Sequence, residues 1–243
     1  MIDARAALVI VPTYNESGSI AEVVERLFAA CPDGVELLVV DDASPDATAG
    51  ILRDLAGDND RIHLLERPHK LGLGTAYVTG FEWAIARGYR AVVEMDGDLS
   101  HDPADVPRLL AALEDADLVV GSRYVPGGGV GNWGRARRML SRGGNLYARA
   151  WLGFAVRDST SGFRAYRNAA LSEQDLARVR SEGYAFQIEM TRRLHRAGRR
   201  IVEVPITFVE RRTGRSKMNR TIVVEAIARV TAWGLRDRLL RRG

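Results

Sequence analysis

The chain has 243 residues, of which 46% are hydrophobic and 27% charged, and its formal net charge is +4. This length suits one α/β domain with a full core, and the single cysteine, Cys31, excludes an intramolecular disulfide. The mild positive charge by itself does not indicate a nucleic-acid partner. No run of about 18 apolar residues occurs, so we expect no membrane-spanning helix and only peripheral contact with a membrane.

Strands and helices alternate through the first half. The first apolar run, residues 6–11, ends at Pro12 and is typical of a buried strand rather than a signal peptide. Further apolar runs predict strands at residues 35–40, 61–65, 91–95 and 117–120. Apolar residues at helical spacing predict helices at residues 19–30, 46–56, 74–87 and 103–113. Repeated strand–helix units imply a mostly parallel sheet flanked by helices.

The second half is less regular. Five glycines within residues 127–134 predict a flexible loop. Apolar spacing predicts helices at residues 135–152, 184–197 and 221–240, and strands at residues 163–166 and 201–208. No repeat or linker divides the chain, so we expect a single domain.

Polar segments follow four of the predicted strands. They are residues 12–16, 41–46, 96–101 and 121–124. Ligands of open α/β sheets bind beyond the carboxyl ends of the strands. We therefore expect these four segments to meet at one edge of the sheet and to form the binding site.

The sharpest feature is Asp96-Gly97-Asp98, directly after a predicted buried strand. Two carboxylates about 4 Å apart repel by about 4 kcal/mol at an effective dielectric near 20, and a divalent cation removes that penalty. Hard oxygen ligands suit Mg²⁺ or Mn²⁺ shared with substrate phosphates. A solvated Asp-Gly turn is the alternative interpretation, and the three other strand ends favour the metal site.

The neighbouring acidic residues allow two interpretations. A carboxylate of Asp41-Asp42 can accept hydrogen bonds from a base or ribose, whereas Glu16 and Asp46 also fit ordinary acids at helix starts. The glycine fingerprint of dinucleotide-binding folds does not follow the first strand, and the four histidines show no zinc spacing.

The ordered set of motifs resembles glycosyltransferase family 2, and within it the dolichol- and polyprenol-phosphate mannose synthases. Asp-X-Asp alone is weakly specific, but the set runs through nearly the whole chain. It comprises residues 11–16, 40–46, 70–77, Asp96-Gly97-Asp98 within 95–101, 121–124, Ser161-Gly162-Phe163-Arg164, and 203–208 leading to Arg211 and Ser216-Lys217.

The resemblance implies a GT-A fold with a Rossmann-like sheet, GDP-mannose as donor, and Mg²⁺ or Mn²⁺ as cofactor. Residues 1–125 would bind the nucleotide sugar, 126–220 the acceptor, and 221–243 would form a C-terminal amphipathic helix. By motif, guanosine would be held by Pro12, Tyr14, Glu16, Val40 and Asp42. The diphosphate and metal would be faced by Asp96, Gly97 and Asp98, with Ser100 where some relatives carry a glutamine metal ligand. Donor or acceptor phosphates would be contacted by Arg123, Arg211 and Lys217.

The implied reaction inverts the sugar in one displacement and gives a β-linked mannosyl phosphate on a dolichyl or polyprenyl chain. A phosphate monoester, with a second pKa near 6, is already largely dianionic and needs no general base. Catalytic roles are expected for Asp98, which would serve the metal, and for Arg123, Arg137 and Arg211, whose guanidinium cations suit phosphate. Arg137 also fits a solvated basic helix face, because four other arginines crowd its segment.

The last predicted helix combines apolar residues with arginines. It fits either an interfacial helix at the cytoplasmic face of a membrane or a core helix with a basic tail. A separate membrane-anchoring protein is compatible with a chain that has no span of its own. The alternatives are a UDP-glucose-dependent polyprenyl-phosphate glucosyltransferase and a non-catalytic nucleotide or lipid-phosphate binding module. Nucleic acid ranks last as a partner, because no recognition motif occurs and the centre is acidic.

Overall fold

The computed structural model describes residues 7–31, 34–210 and 220–240. Arg211 and Lys217 lie outside the described residues, so their predicted phosphate contacts stay predictions. Among the described helices, none is both long and apolar enough to cross a membrane.

A seven-stranded sheet forms the centre of the described chain, and a two-stranded ribbon lies apart from it. The strands are β1 (Ala7–Thr13), β2 (Val35–Asp41), β3 (Ile62–Glu66), β4 (Ala91–Glu94), β5 (Leu118–Ser122), β6 (Gly129–Val130), β7 (Arg164–Arg167), β8 (Ile201–Pro205) and β9 (Thr207–Phe208). The sheet order is β3-β2-β1-β4-β7-β5-β8, and β6 pairs with β9. Only β7 runs antiparallel to its neighbours.

Helices cover both faces of this sheet. They are α1 (Ile20–Ala30), α2 (Thr48–Asp58), α3 (Leu73–Ala86), α4 (Val106–Ala112), α5 (Arg135–Leu152), α6 (Asn168–Ser172), α7 (Gly183–Arg196) and α8 (Arg220–Leu240). The apolar side chains of β1 divide between the faces, as expected for a strand buried on both sides. Leu8 and Ile10 join the layer under α3, α5, α7 and α8. Val9 and Val11 join the layer under α1, α2 and α4.

The predicted parallel sheet is confirmed, with one difference in topology. The strand predicted at residues 163–166 is inserted antiparallel between β4 and β5, with Arg164 opposite both Glu94 and Val120. A strand of four residues with mixed polar and apolar side chains does not determine which strands it pairs with. Its periodicity therefore cannot predict that β7 runs antiparallel to β4 and β5.

Two smaller differences concern the second half. The strand predicted at residues 201–208 is interrupted at Ile206, and its last two residues pair with Gly129–Val130, inside the segment predicted to be a loop. The short helix α6 was not predicted, because five residues are too few for a helical apolar pattern.

The register places the predicted polar segments together. Thr13 lies opposite Asp41, and the backbone N–H of Met95 donates to Ile10. The segments after β1, β2, β4 and β5 therefore lie at the carboxyl edge of the sheet, which confirms their predicted convergence.

Candidate functional site

A cavity of about 210 Å³ opens at this carboxyl edge. Residues that were predicted from the sequence line one side of it: Pro12, Glu16, Asp96, Gly97, Asp98, Ser100, Arg123 and Arg137. Four further lining residues belong to the motif segments, although no individual role was predicted for them: Leu73, His101, Gly162 and Phe208. The remaining five were not predicted from the sequence: Trp133, Thr160, Gly183, Tyr184 and Gln187. The cavity thus joins the strand ends of the first half to the second half of the chain.

The turn that carries the two aspartates is tightly held. A Cβ on Gly97 would lie 3.1 Å from a methyl group of Val11, so glycine lets this turn approach the sheet. The Gly97 carbonyl accepts a hydrogen bond of 2.7 Å from the Ser19 hydroxyl. Leu99 adopts a left-handed φ of 61°, a costly conformation for a residue with a side chain. The surrounding contacts therefore hold the backbone of the turn that carries the two aspartates.

The oxygen atoms at this turn fit a divalent cation that takes its remaining ligands from a bound molecule. Asp98 is buried and accepts a hydrogen bond of 3.0 Å from the backbone of Ser100, whereas the Asp96 side chain is 35% exposed. The Ser100 hydroxyl is buried and has no hydrogen-bond partner among the described residues. Within that same part of the chain, no three His, Cys, Asp or Glu side chains converge to hold a metal alone. Two carboxylates and a hydroxyl suit Mg²⁺ or Mn²⁺, which take phosphate oxygens as further ligands.

His101 supports the turn from behind. The backbone N–H of Asp96 donates to its Nδ1 at 3.2 Å, so the ring hydrogen of the neutral imidazole lies on Nε2. Burial lowers the pKa of His101, although Asp96 and Asp98 oppose that effect. The ring stacks on Phe163 at a centroid distance of 5.0 Å. His101 therefore serves as a hydrogen-bond acceptor that holds the backbone of Asp96.

Arg123 lies in the cavity wall with a buried partner. Its Nε and Nη2 donate to both carboxylate oxygens of Asp158, at 2.7 and 2.6 Å. Burial alone would lower the pKa of Arg123, but the Asp158 carboxylate raises it, so the guanidinium stays charged. The predicted contact of Arg123 with phosphate stays a prediction, and the structure shows that its guanidinium also forms an ion pair with Asp158.

Arg137 occupies a different environment at the mouth of the cavity. Its Nη1 donates to the Glu210 carboxylate at 2.5 Å, and its guanidinium lies 4.2 Å from the ring centroid of Trp133. The Nε of Arg137 and the indole N–H of Trp133 are buried without a hydrogen-bond partner among the described residues. Two buried donors side by side are suited to an oxygen-rich anion.

The segments predicted to hold the nucleoside lie at the neighbouring strand ends. Both carboxylate oxygens of Asp42 accept backbone hydrogen bonds, from Leu71 at 3.1 Å and Gly72 at 2.9 Å, and Arg67 pairs with them. The Lys70 ammonium lies 3.8 Å from the ring centroid of Tyr14. Asp42 thus anchors the loop before α3.

Val40 is fully buried in the core, so its side chain packs the sheet. With Pro12, Tyr14, Glu16 and Asp42, it lies on the strand-end segments predicted for guanosine. The predicted contacts of these five residues with the nucleoside stay predictions.

A second and larger cavity of about 430 Å³ begins where the first one ends. Trp133, Arg137, Thr160 and Tyr184 line both cavities. Mostly apolar side chains and backbone of α5, α7 and α8 form the rest of the second wall: Met139, Leu140, Gly143, Gly144, Tyr147, Ile188, Ala226, Ile227 and Val230, together with Ser141. The polar cavity therefore opens into an apolar groove.

Close helix contact builds this groove. A Cβ on Gly234 would lie 2.7 Å from the Trp151 ring, so glycine lets α8 approach α5. Asp237 of α8 is buried against Arg192 and Arg196 of α7. The predicted C-terminal helix thus packs on the domain and forms one side of the groove.

Comparison with known proteins agrees with the motifs. The model of glycosyl transferase family 2 matches residues 8–174. An undecaprenyl-phosphate mannosyltransferase of Micrococcus luteus is 52% identical over 231 residues, which are 95% of each chain. A polyprenol monophosphomannose synthase of Mycolicibacterium smegmatis is 50% identical over 239 residues, which are 98% of this chain and 90% of the relative.

Solved structures share the architecture at lower identity. Glucosyl-3-phosphoglycerate synthase from Mycobacterium tuberculosis, in complex with phosphoglyceric acid, superposes with a TM-score of 0.69 at 22% identity and covers 95% of this chain and 82% of its own. A second structure, in complex with Mn²⁺, uridine-diphosphate and phosphoglyceric acid, gives a TM-score of 0.67 at 23% identity and covers 98% and 81%. These likenesses show the fold and confirm the predicted GT-A architecture.

Proposed function

The chain belongs to glycosyltransferase family 2, and we propose that it transfers mannose from GDP-mannose to a polyprenyl or dolichyl phosphate. The product would be a β-linked polyprenyl-phosphate mannose, which serves as a lipid-linked sugar donor. Two relatives, 52% and 50% identical over nearly the whole chain, are named as an undecaprenyl-phosphate mannosyltransferase and a polyprenol monophosphomannose synthase. These names support mannose as the sugar and a polyprenyl phosphate as the acceptor.

The observation that carries the proposal is the continuity of the two cavities. One is polar and contains the aspartate pair, and the other is an apolar groove, with Trp133, Arg137, Thr160 and Tyr184 shared between them. A polyprenyl phosphate has the same division, because a charged head is joined to a long hydrocarbon chain. The head would lie near Arg137 and the first isoprene units in the groove between α5 and α8.

Arg137 is the described cation best placed for the acceptor phosphate. It lies at the boundary of the two cavities, and its buried Nε has no partner among the described residues. A guanidinium binds phosphate through two parallel hydrogen bonds, so the acceptor would take over the interaction that Glu210 now makes. Arg211 and Lys217, which follow this segment in the sequence, are proposed to add further charge.

The reaction would be a single in-line displacement. An acceptor phosphate oxygen forms a bond to the anomeric carbon, while the bond from that carbon to the diphosphate oxygen breaks and its electron pair leaves with GDP. The phosphate is already largely dianionic at neutral pH, so the reaction requires no general base. When a divalent cation is bound, it supplies charge neutralisation for the leaving diphosphate. Asp96, Asp98 and Ser100 would hold that cation.

The outer surfaces of α5 and α8 suit a membrane surface. Four large apolar side chains are exposed there and do not line the groove: Leu146, Val224, Leu235 and Leu239. Three more are exposed at the groove itself: Met139, Leu140 and Ile227. Exposed arginines of α5 lie among them, and such a combination attracts anionic lipid. We propose peripheral contact with the cytoplasmic face, where the groove would receive its lipid, with or without a separate anchoring protein.

A donor panel tests the proposal. The protein is incubated with polyprenyl phosphate and either GDP-mannose or UDP-glucose, with Mg²⁺, Mn²⁺ or a chelator, and the product linkage is determined by NMR. We expect β-mannosyl phosphate from GDP-mannose and none with chelator. Transfer from UDP-glucose alone would instead establish the glucosyltransferase, and nucleotide binding without any transfer would establish a binding module.

A matched pair of variants tests the aspartates. Asp98→Asn should lower kcat about a hundredfold or more, because the leaving diphosphate loses its stabilised charge. Asp102→Asn, exposed in the adjoining turn, should leave kcat within about twofold. Full activity of Asp98→Asn would remove the metal from the proposal.

A further inference from the structure

The motif Ser161-Gly162-Phe163-Arg164 has no role in the reaction described above, although Gly162 lines the polar cavity. A Cβ built on Gly162 would lie 3.7 Å from Oδ1 of Asp96, 3.7 Å from Nε2 of Gln187 and 3.8 Å from Cε1 of His101. The missing side chain therefore leaves a space about one heavy atom wide, and a carboxylate and an amide border it.

Gln187 is held in one orientation at this space. Its Nε2 donates to the buried Glu94 carboxylate at 2.7 Å, and the Tyr166 hydroxyl donates to the same carboxylate at 2.8 Å. The amide oxygen of Gln187 is buried and has no hydrogen-bond partner among the described residues. A buried acceptor without a donor costs stability, and a ligand that brings a donor would recover it.

The arginine of the motif joins the two sides of the space. Arg164 is fully buried; its Nε donates to the Ser161 carbonyl at 2.7 Å and its Nη1 to the Gln187 carbonyl at 2.9 Å. One side chain thus fixes the backbone beside Gly162 relative to the start of α7. The motif therefore builds the space rather than merely packing the core.

We infer that Gly162, Gln187 and Asp96 form a subsite for one hydroxyl group of the transferred hexose. The inference rests on the proposed function and names the part of the donor that this wall recognises. The Asp96 carboxylate oxygen borders the space, and so does Nε2 of the Gln187 amide, whose oxygen is the acceptor without a partner among the described residues. Both oxygens accept hydrogen bonds, so they favour a hydroxyl and disfavour a phosphate dianion, which has no hydrogen to donate. The phosphate-binding donors, Trp133 and Arg137, lie instead at the boundary with the groove.

Gly162→Ala is the direct test, because the added methyl group fills the space and the fold accepts it. All neighbours would lie at ordinary van der Waals distances, and Gly162 is not in the left-handed region. Gly50→Ala is the matched control, since a Cβ there meets nothing within 4 Å. Gln187→Met removes the amide while keeping its length. Asn168→Leu is its control, because Asn168 is a buried amide whose oxygen likewise lacks a partner among the described residues.

The readouts are GDP affinity and kcat/KM with the best donor and its four monodeoxy analogues. In the unaltered enzyme, removal of the recognised hydroxyl should lower kcat/KM about tenfold. In Gly162→Ala and Gln187→Met, kcat/KM for the intact donor should fall about tenfold. The penalty for that same deoxy analogue should disappear, while GDP affinity stays within about twofold. Both controls should behave as the unaltered enzyme.

Three outcomes would overturn the proposed subsite, and the third would also overturn the proposed function. Equal deoxy penalties in the variants and the unaltered enzyme overturn the subsite and leave the proposed function standing. A loss of GDP affinity that matches the loss of kcat/KM also overturns the subsite, because Gly162 and Gln187 would then affect binding of the nucleotide rather than of the sugar. If the unaltered enzyme transfers no sugar from any donor, the proposed function and the subsite fall together.

Discussion

The Arg123 guanidinium and the Asp158 carboxylate form a two-pronged ion pair, with hydrogen bonds of 2.7 and 2.6 Å, in which both side chains are buried. The backbone N–H of Arg123 donates to the same carboxylate at 2.9 Å. Asp158 therefore fixes both the backbone and the side chain at the end of β5. A residue expected from its motif to bind phosphate is thus also part of the wall that shapes the cavity.

Asp158→Asn should destabilise the protein by about 3–5 kcal/mol, because it leaves the Arg123 charge buried without its partner. The free energy of unfolding in urea measures this change. Asp175→Asn is the control, since its pair with Arg178 is exposed and should contribute less than about 1 kcal/mol. Equal small losses in both variants would contradict a structural role for the buried pair.

Arg137→Lys should raise KM for polyprenyl phosphate about ten- to a hundredfold while leaving KM for the nucleotide sugar nearly unchanged. Lysine keeps the charge but loses the paired hydrogen bonds and the guanidinium stacking on Trp133. Steady-state kinetics with each substrate varied in turn separate the two KM values. Arg138→Lys, exposed on the same helix, should change neither. A change confined to KM for the nucleotide sugar would indicate that Arg137 contacts the donor and would contradict its proposed role at the acceptor phosphate.

Glu94→Gln should alter how stability depends on pH. Burial raises the pKa of Glu94 from 4.5 to about 7. The charge of Arg164 and the hydrogen bonds that Gln187 and Tyr166 donate to Glu94 act in the opposite direction. Between these two values the folded state binds more protons than the unfolded state, so this carboxyl makes stability fall as pH rises from about 4.5 to about 7. The fall attributable to it is up to about 3 kcal/mol.

Unfolding free energies of Glu94→Gln and the unaltered protein at pH 5 and pH 8 measure this difference. The variant should gain relative to the unaltered protein as pH rises, by up to about 3 kcal/mol. Parallel pH profiles would show that Glu94 titrates near its ordinary pKa.

Leu239→Glu should weaken binding to vesicles that contain anionic lipid, by about tenfold. Leu239 is 72% exposed on α8, whereas Asp237 is buried against α7, so this helix presents Leu239 away from the domain. A charge there opposes burial in the lipid interface. Co-sedimentation gives the affinity, and Ala169→Glu, exposed on α6 at the opposite edge of the sheet, is the control. Equal weakening by both variants would indicate a general charge effect rather than a docking face.

Much of the fold could be predicted because its signals are local. The apolar runs of β1 and β2 and the helical spacing of α1 and α5 depend only on neighbours in the sequence. The position of Asp96 and Asp98 after a buried strand also follows from local order together with the parallel arrangement. The bounds of α5 agree with the prediction at both ends.

The opposite wall of the cavity could not be predicted in this way. Gln187 lies among helical core positions, and nothing near it in the sequence shows that its amide meets Glu94, 93 positions earlier. The antiparallel insertion of β7 depends on which strands are adjacent, and a four-residue strand does not specify its neighbours. Ser161-Gly162-Phe163-Arg164 was recognisable as a motif, but its place in the cavity was not.

The sequence by itself determined the alternation of strands and helices, the family, and the acidic turn where a metal and a diphosphate would meet. Tertiary structure alone decided that Arg123 is paired with Asp158, that Arg137 lies where a polar cavity opens into an apolar groove, and that Gly162 faces Gln187. The physical reason is the separation along the sequence of the residues that interact. Propensity and hydrophobic periodicity act between near neighbours, whereas charge pairing, burial and cavity shape depend on residues that only the folded chain brings together.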